Sequence, residues 1–514
     1  MRNKNAFALA GVLLFINGQA MAEAPLSVID WLSESVALPS HLDADGVPFG
    51  EEAATESASI EVITSQPLDA PNPDAVGLLP SSVTGLPNNL WESSSSAALV
   101  RLIRQGSTET LPAIAELNRS LLLAEASAPN DADGSGALLL ARVDQLLELG
   151  ALDDAQALLE RAGPTTPELF RRWFDVALLT GTENLACDAL RSNGDIAPTY
   201  QARIFCLARN GDWNAAALTL NSAEALGYVA PDEYDLIARF LDPELFEGEP
   251  PLSTPSRPSP LVFRMLEAIG EPISSSTLPR AFAQADLRPS SGWKARLEAA
   301  ERLARVGAIP ANQLLGIYTE RSPAASGGVW NRVDALQRFD LAVRNRDAEA
   351  IDQILPVIWR EMQRVGLERP FAKLYANELD GISLAGRSAG LAFHLGLLSD
   401  SYETLSRAYS PINDEDKFLS ALATGAPASA PAPSAMAEAI RDGFDSGELS
   451  DDLSRKLADN RLGEAILIAN QMFNEGAAGD LEKVSRALRF YRAVGLEDIA
   501  RKAALQLMLM ERHG

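Results

Sequence analysis

A chain of 514 residues with 70 Asp and Glu against 44 Lys and Arg has a formal charge of −26, which disfavours nucleic acid and anionic lipid as partners. Its 46% hydrophobic residues are enough for a packed core and exclude a wholly disordered chain. The three histidines, His41, His394 and His513, show no metal-ligand spacing, and neither a phosphate loop nor a dinucleotide fingerprint is present, so no cofactor is expected.

Residues 1–22 read as a secretory signal peptide. Met1-Arg2-Asn3-Lys4-Asn5 is basic, 6–16 is apolar, and Ala20-Met21-Ala22 suits cleavage after Ala22. The apolar run is short for a spanning anchor, no cysteine follows the cleavage point, and no later run is apolar enough to cross a bilayer. The expected compartment is a bacterial periplasm, without membrane insertion after cleavage.

Residues 23–95 form an acidic tail devoid of Lys and Arg. Within it, PLSVIDWLSESV places Leu26, Ile29, Leu32 and Val36 at helical spacing, with Ser27 and Asp30 as a capping box and Trp31 on the flank. Lacking basic residues, this helix suits docking to protein rather than to a membrane surface, so Leu26, Ile29, Trp31 and Leu32 are candidate partner-binding residues. Residues 41–59 have the polar, acidic composition of a disordered segment. Residues 60–91 turn apolar again; 60–64 alternate as a strand would, and five prolines forbid a helix. Two readings stand for this strap: packing on the chain's own helical body, or linear docking to a partner.

Helical texture fills 96–246. LLELGALDDAQALLERAG (146–163) closes one helix at Gly150 and opens the next with Ala155. The pattern returns at Gly181 with Ala186 and at Gly211 with Ala216, a spacing near that of helical-hairpin repeats. Glycine ends a helix cheaply in a left-handed conformation, and small residues just after it let two helices approach. Cys187 and Cys206 fall on consecutive helices of this register, so a structural disulfide is expected, contributing about 3 kcal/mol, with a pair of buried thiols as the alternative. NDADGSG (130–136) matches the start of a calcium loop at Asp131, Asp133, Ser135 and Gly136, but the position of the bidentate acid holds Arg142; an Asx-rich helix entry explains it better.

A Pro/Ser linker, 247–260, leads to a middle helical block, 261–422, with echoes of the repeat at Gly307 with Ala311 and at Asn345 with Ala350. Residues 316–330 break the periodicity and carry Tyr318, Glu320, Arg321 and Trp330. An aromatic-rimmed loop makes Tyr318, Arg321 and Trp330 candidate partner-binding residues, against the alternative that Trp330 is core. Gly386-Arg387-Ser388-Ala389-Gly390 is formally a nucleophile-elbow motif, yet it lacks the preceding buried strand, and small residues at a helix contact are the expected reading. A second linker, 423–434, precedes the final helical block, 435–514, with further echoes at Asn460 with Ala465 and at Gly495 with Ala500.

On the three Gly/Ala pairs, residues 136–227 resemble a tetratricopeptide-like superhelix, although the usual Trp and most Tyr positions are missing. The export signal, the IDWLSES segment and the PAASGGVW loop also resemble a group of uncharacterised secreted proteins of α-proteobacteria. The repeats and the resemblance imply an all-α fold, an α-solenoid of helical hairpins, and the composition of 23–95 adds an extended, partly disordered N-terminal tail. The expected function is a periplasmic scaffold mediating protein–protein interaction, holding an envelope protein on its surface or through its tail. The alternative is a cell-wall-acting enzyme with carboxylates lining a superhelical groove; a superhelix is shared with periplasmic lytic transglycosylases, but no lysozyme-like domain follows here.

Overall fold

The structure, a computed structural model, describes residues 72–323 and 325–510. The chain is all-helical: 25 α-helices among the described residues are joined by short turns and 3-10 segments. The signal peptide, the helix around Trp31 with Leu26, Ile29 and Leu32, the 41–59 segment and the 60–64 strand lie outside the described residues.

One turn recurs along the chain. Gly150, Gly181 and Gly211 adopt φ of 75°, 82° and 83°. The following N–H then reaches back five residues, from Ala151 to Leu146 O (2.9 Å), Thr182 to Ala177 O (2.8 Å) and Asp212 to Leu207 O (2.9 Å). This closure satisfies a carbonyl that the helix end leaves unpaired. The same bond closes later hairpins, from Ala308 to Leu303, Asp347 to Ala342, Arg461 to Lys456 and Leu496 to Tyr491. Ala155, Ala186, Ala216, Ala465 and Ala500 are fully buried at the ensuing contacts. One position departs from expectation. Asn345 stays right-handed at φ −84°, and Arg346 takes the left-handed turn at φ 51°. Asp347 decides the register, because its side chain caps the next helix by accepting from Ala350 N–H at 3.1 Å.

The strap is not the helix-free ribbon its prolines suggest. Pro73 opens the 3-10 turn Pro73–Ala75, and Pro80 caps the one-turn helix Ser81–Thr84. Both sit where a helix start has no use for the missing N–H. The described part of the strap packs on the chain's own helices. Leu78 and Leu79 N–H bond Leu123 O at 2.8 and 3.0 Å, and Glu125 N–H returns to Leu79 O at 2.9 Å. Beneath it lies Arg142, fully buried in the helix Ala137–Leu149, which donates to Leu122 O, Val76 O and Ala124 O at 2.7, 2.7 and 3.0 Å. Asp74, equally buried, accepts Leu139 N–H at 2.8 Å.

Two hydrophobic cores result. The smaller is built from 283–398; the larger unites residues before it with 393–507. The chain's last helices therefore return to its first. The helix Leu462–Ala477 packs on Ser96–Arg104 and Pro112–Leu123, and Glu497–Leu509 packs on Pro112–Leu123. Gln506 Oε1 accepts Ala113 N–H at 2.8 Å, capping from 393 residues away a helix start that has no local side-chain cap. Core boundaries do not fall at the two Pro-rich segments, in which Pro258, Pro260 and Pro427 are buried while most other residues are exposed.

Candidate functional site

Four helices, Pro167–Thr180, Tyr200–Arg209, Pro231–Leu241 and Pro260–Ala268, wall a cleft of about 350 Å³. Local chemistry sets each wall. Pro167, Pro231 and Pro260 each open a helix, and Thr166, Thr199 and Ser259 cap through their side-chain oxygens. The Cys187–Cys206 disulfide, S–S 2.00 Å, ties the wall Tyr200–Arg209 to the preceding helix Glu183–Ser192. Residues 252–259 form the roof. Arg239 holds the approach to it, donating to Pro250 O at 2.9 Å and Glu249 at 3.1 Å, while Leu252 N–H bonds Glu271 at 2.9 Å.

The interior is apolar: Phe174, Leu236, Ile237, Met265 and Leu266 line it, all buried. Into this surface the helix Pro167–Thr180 places Arg171 and Asp175, one turn apart. Arg171 Nε and Asp175 Oδ2 stand 4.0 Å apart, too far for a hydrogen bond, and both atoms are buried without a hydrogen-bond partner. The neighbouring Arg172 does not help, since Asp144 holds it at 2.9 Å. At the rim are Asp232, Asp235, Arg257 and Glu233, the last accepting from Gln201 at 2.8 Å.

Burial pushes the Asp175 carboxyl up to about 7, against the opposing pull of Arg171 and Arg172, and lowers the Arg171 guanidinium. An unfolded Asp releases its proton near 3.8, so folding retains a proton that unfolding gives up between those values. Stability therefore falls as pH rises through that window, and the loss is complete above about pH 7. Asp175→Asn removes this dependence. Its stability relative to the parent is expected to rise by roughly 4 kcal/mol between about pH 4 and about pH 8, read from guanidinium melts at both values. An unchanged difference would contradict the buried acid.

A second cavity, of about 480 Å³, lies between the two cores and contrasts with the first. Most of its charges are paired with one another. Arg119 meets Asp154 at 2.5 Å, and Arg369 and Lys373 meet Glu116 at 3.3 and 2.5 Å.

The structure separates the aromatic-loop residues. Tyr318 is fully buried, its hydroxyl bonded to Glu301, which also holds Arg332 at 2.6 and 2.8 Å. It therefore offers nothing to a partner, and burial beside Glu301 raises its pKa well above the usual tyrosine value. Trp330 is half-buried against Trp293, ring centroids 5.1 Å apart, and Trp293 Nε1 donates to Ile317 O. Arg321 is exposed beside Glu320. Ser388 is buried at the start of the helix Gly386–Leu397, donating to Asp352 O at 3.1 Å. Its hydroxyl ties two helices together. Asp131 accepts from Ser96 N–H at 2.9 Å, 35 residues away at the start of the helix Ser96–Arg104, and Asp133 accepts from Ser135 N–H at 2.9 Å within its own turn.

The cleft itself escapes a reading of the sequence. One signal exists: Asp175 interrupts the apolar run Phe174, Val176, Ala177, Leu178, Leu179. Compared with protein-family models, curated proteins and solved structures, the chain matches none. The site is read from its geometry.

Proposed function

We propose that this chain is a periplasmic, non-enzymatic scaffold, an α-solenoid of helical hairpins whose last helices return to its first, and that it holds an envelope protein through the 167–266 cleft. The recurring hairpin closure supports the repeat reading. One observation carries the recognition site: an apolar cleft in which two charged side chains have buried atoms without hydrogen-bond partners. Such atoms cost about 1–3 kcal/mol each when left unmet, which a partner group can recover. Concave apolar surfaces with a few polar groups are the usual form of binding sites.

The test is crosslinking co-purification from periplasm with three proteins: the parent, Val262→Trp to fill the cleft, and a chain lacking 23–71. A partner lost with Val262→Trp and retained without 23–71 is expected. A partner lost only with 23–71 would move recognition to the segment bearing Leu26, Ile29, Trp31 and Leu32. A partner indifferent to both changes would sink the cleft as its site.

A further inference from the structure

We propose that the group this cleft receives is a lysine-type ammonium on its aliphatic stem, presented by a partner polypeptide; the proposal rests on reading the cleft as the recognition site. Four observations converge on it. Four carboxylates line the cleft, Asp175, Asp232, Glu233 and Asp235, against two arginines, Arg171 and Arg257, so the lining favours a cation. Asp175 lies within the apolar interior with Oδ2 unbonded, and its nearest cation is beyond hydrogen-bond reach at 4.0 Å. Around it Phe174, Leu236 and Met265 offer apolar surface to a methylene stem. At about 350 Å³ the cleft holds one side chain with its flanking backbone, not a folded domain.

The alternatives fit worse. An anion would face the acidic rim. A wholly apolar group would leave the Asp175 oxygen unmet. A guanidinium is a broad planar fork that would crowd Arg171, whereas an ammonium is a compact charge on a flexible stem. The chain's net charge of −26 further draws basic segments toward it and speeds their encounter.

The probes are acetyl-Leu-Lys-Leu-amide and the same peptide with norleucine for lysine, titrated calorimetrically into the purified full chain, Asp175→Asn and Val262→Trp. The lysine peptide is expected to bind the parent at least tenfold more tightly than the norleucine peptide. Asp175→Asn should erase that preference while keeping the weaker apolar binding, and Val262→Trp should abolish both. Equal binding of the two peptides overturns the ammonium assignment and leaves the cleft as a recognition site. Binding of neither peptide also overturns the assignment; the cleft reading then stands or falls separately, on whether Val262→Trp releases the captured partner. Lysine-peptide binding that emerges only after removal of 23–71 overturns the proposal too, since the occupant is then the chain's own segment.

Discussion

Arg142→Met is expected to lower the free energy of the first unfolding transition by about 3–5 kcal/mol and to free the strap. The guanidinium has no carboxylate in hydrogen-bond contact; its partners are three main-chain oxygens, Val76 from the strap and Leu122 and Ala124 from the C-terminal end of the helix Pro112–Leu123. Methionine fills much of the volume but donates nothing, leaving three buried carbonyls unmet at about 1–3 kcal/mol each. Against this stands the relief of burying a charge. Burial pulls the Arg142 pKa down to about 10, with Asp74 opposing the shift, so the group remains charged at neutral pH and its desolvation cost is real but smaller than the sum of the bonds. Lysine should rescue only part, because one ammonium cannot span three carbonyls on two segments. Guanidinium melts measure the loss. Limited proteolysis locates it, with new cleavage expected around the exposed Val83. A variant as stable as the parent, with the strap still protected, would mean that apolar contacts alone hold this segment.

Arg142 also shows what can be read from a chain and what cannot. Against a calcium-loop template it stands where the metal's strongest ligand belongs, a mismatch that argues against calcium without revealing where the cation goes. Its partners lie up to 66 residues away. Gly150, Gly181 and Gly211 are legible because a left-handed helix end is a local event with a local residue preference. Arg346 is not, because its conformation follows from a cap on the next residue rather than from its own type. Tyr318 reads as a loop-rim residue because Gly and Pro follow it, yet its hydroxyl has a buried partner 17 residues back in Glu301. A break in periodicity reports a turn and says nothing of depth. Asp175 stands out among 70 acids only by interrupting an apolar run, which does not say what surrounds it. What sets it apart is an unbonded Oδ2 beside an apolar cleft, a property of four helices at once. The return of the last helices onto the first is equally non-local, since the repeat spacing specifies neighbours and not where the array ends.

That return includes one especially close contact, and Trp91→Ala should cost about 3–5 kcal/mol by emptying it. Trp91 is 1% exposed, and its ring lies on Gly463 in the helix Leu462–Ala477, while Gly463 N–H bonds Leu90 O at 3.3 Å. A Cβ at position 463 would overlap Trp91 Cζ3 and stand 2.5 Å from its Cε3 and 2.8 Å from Leu90 O. Neither a packed indole nor a backbone carbonyl can withdraw cheaply, so Gly463→Ala is also expected to destabilise. Overpacking of this kind costs about 1–3 kcal/mol. Alanine's better helix propensity recovers about 1 kcal/mol, which makes the single substitution the milder of the two. The decisive protein is the double variant. Once Trp91 is gone, the methyl group introduced at position 463 no longer meets the indole, and what remains is its 2.8 Å approach to Leu90 O set against the propensity gain. The double variant should therefore lose less than the sum of the two single substitutions, with a coupling energy of about 1–3 kcal/mol between the two sites. Guanidinium melts of the four proteins in the cycle measure that energy directly. Strict additivity would mean that the indole and the glycine do not share one site, and the closure of the chain would then rest on the remaining helix packing and on the polar links from Gln506 and Asn470 to the helix Pro112–Leu123.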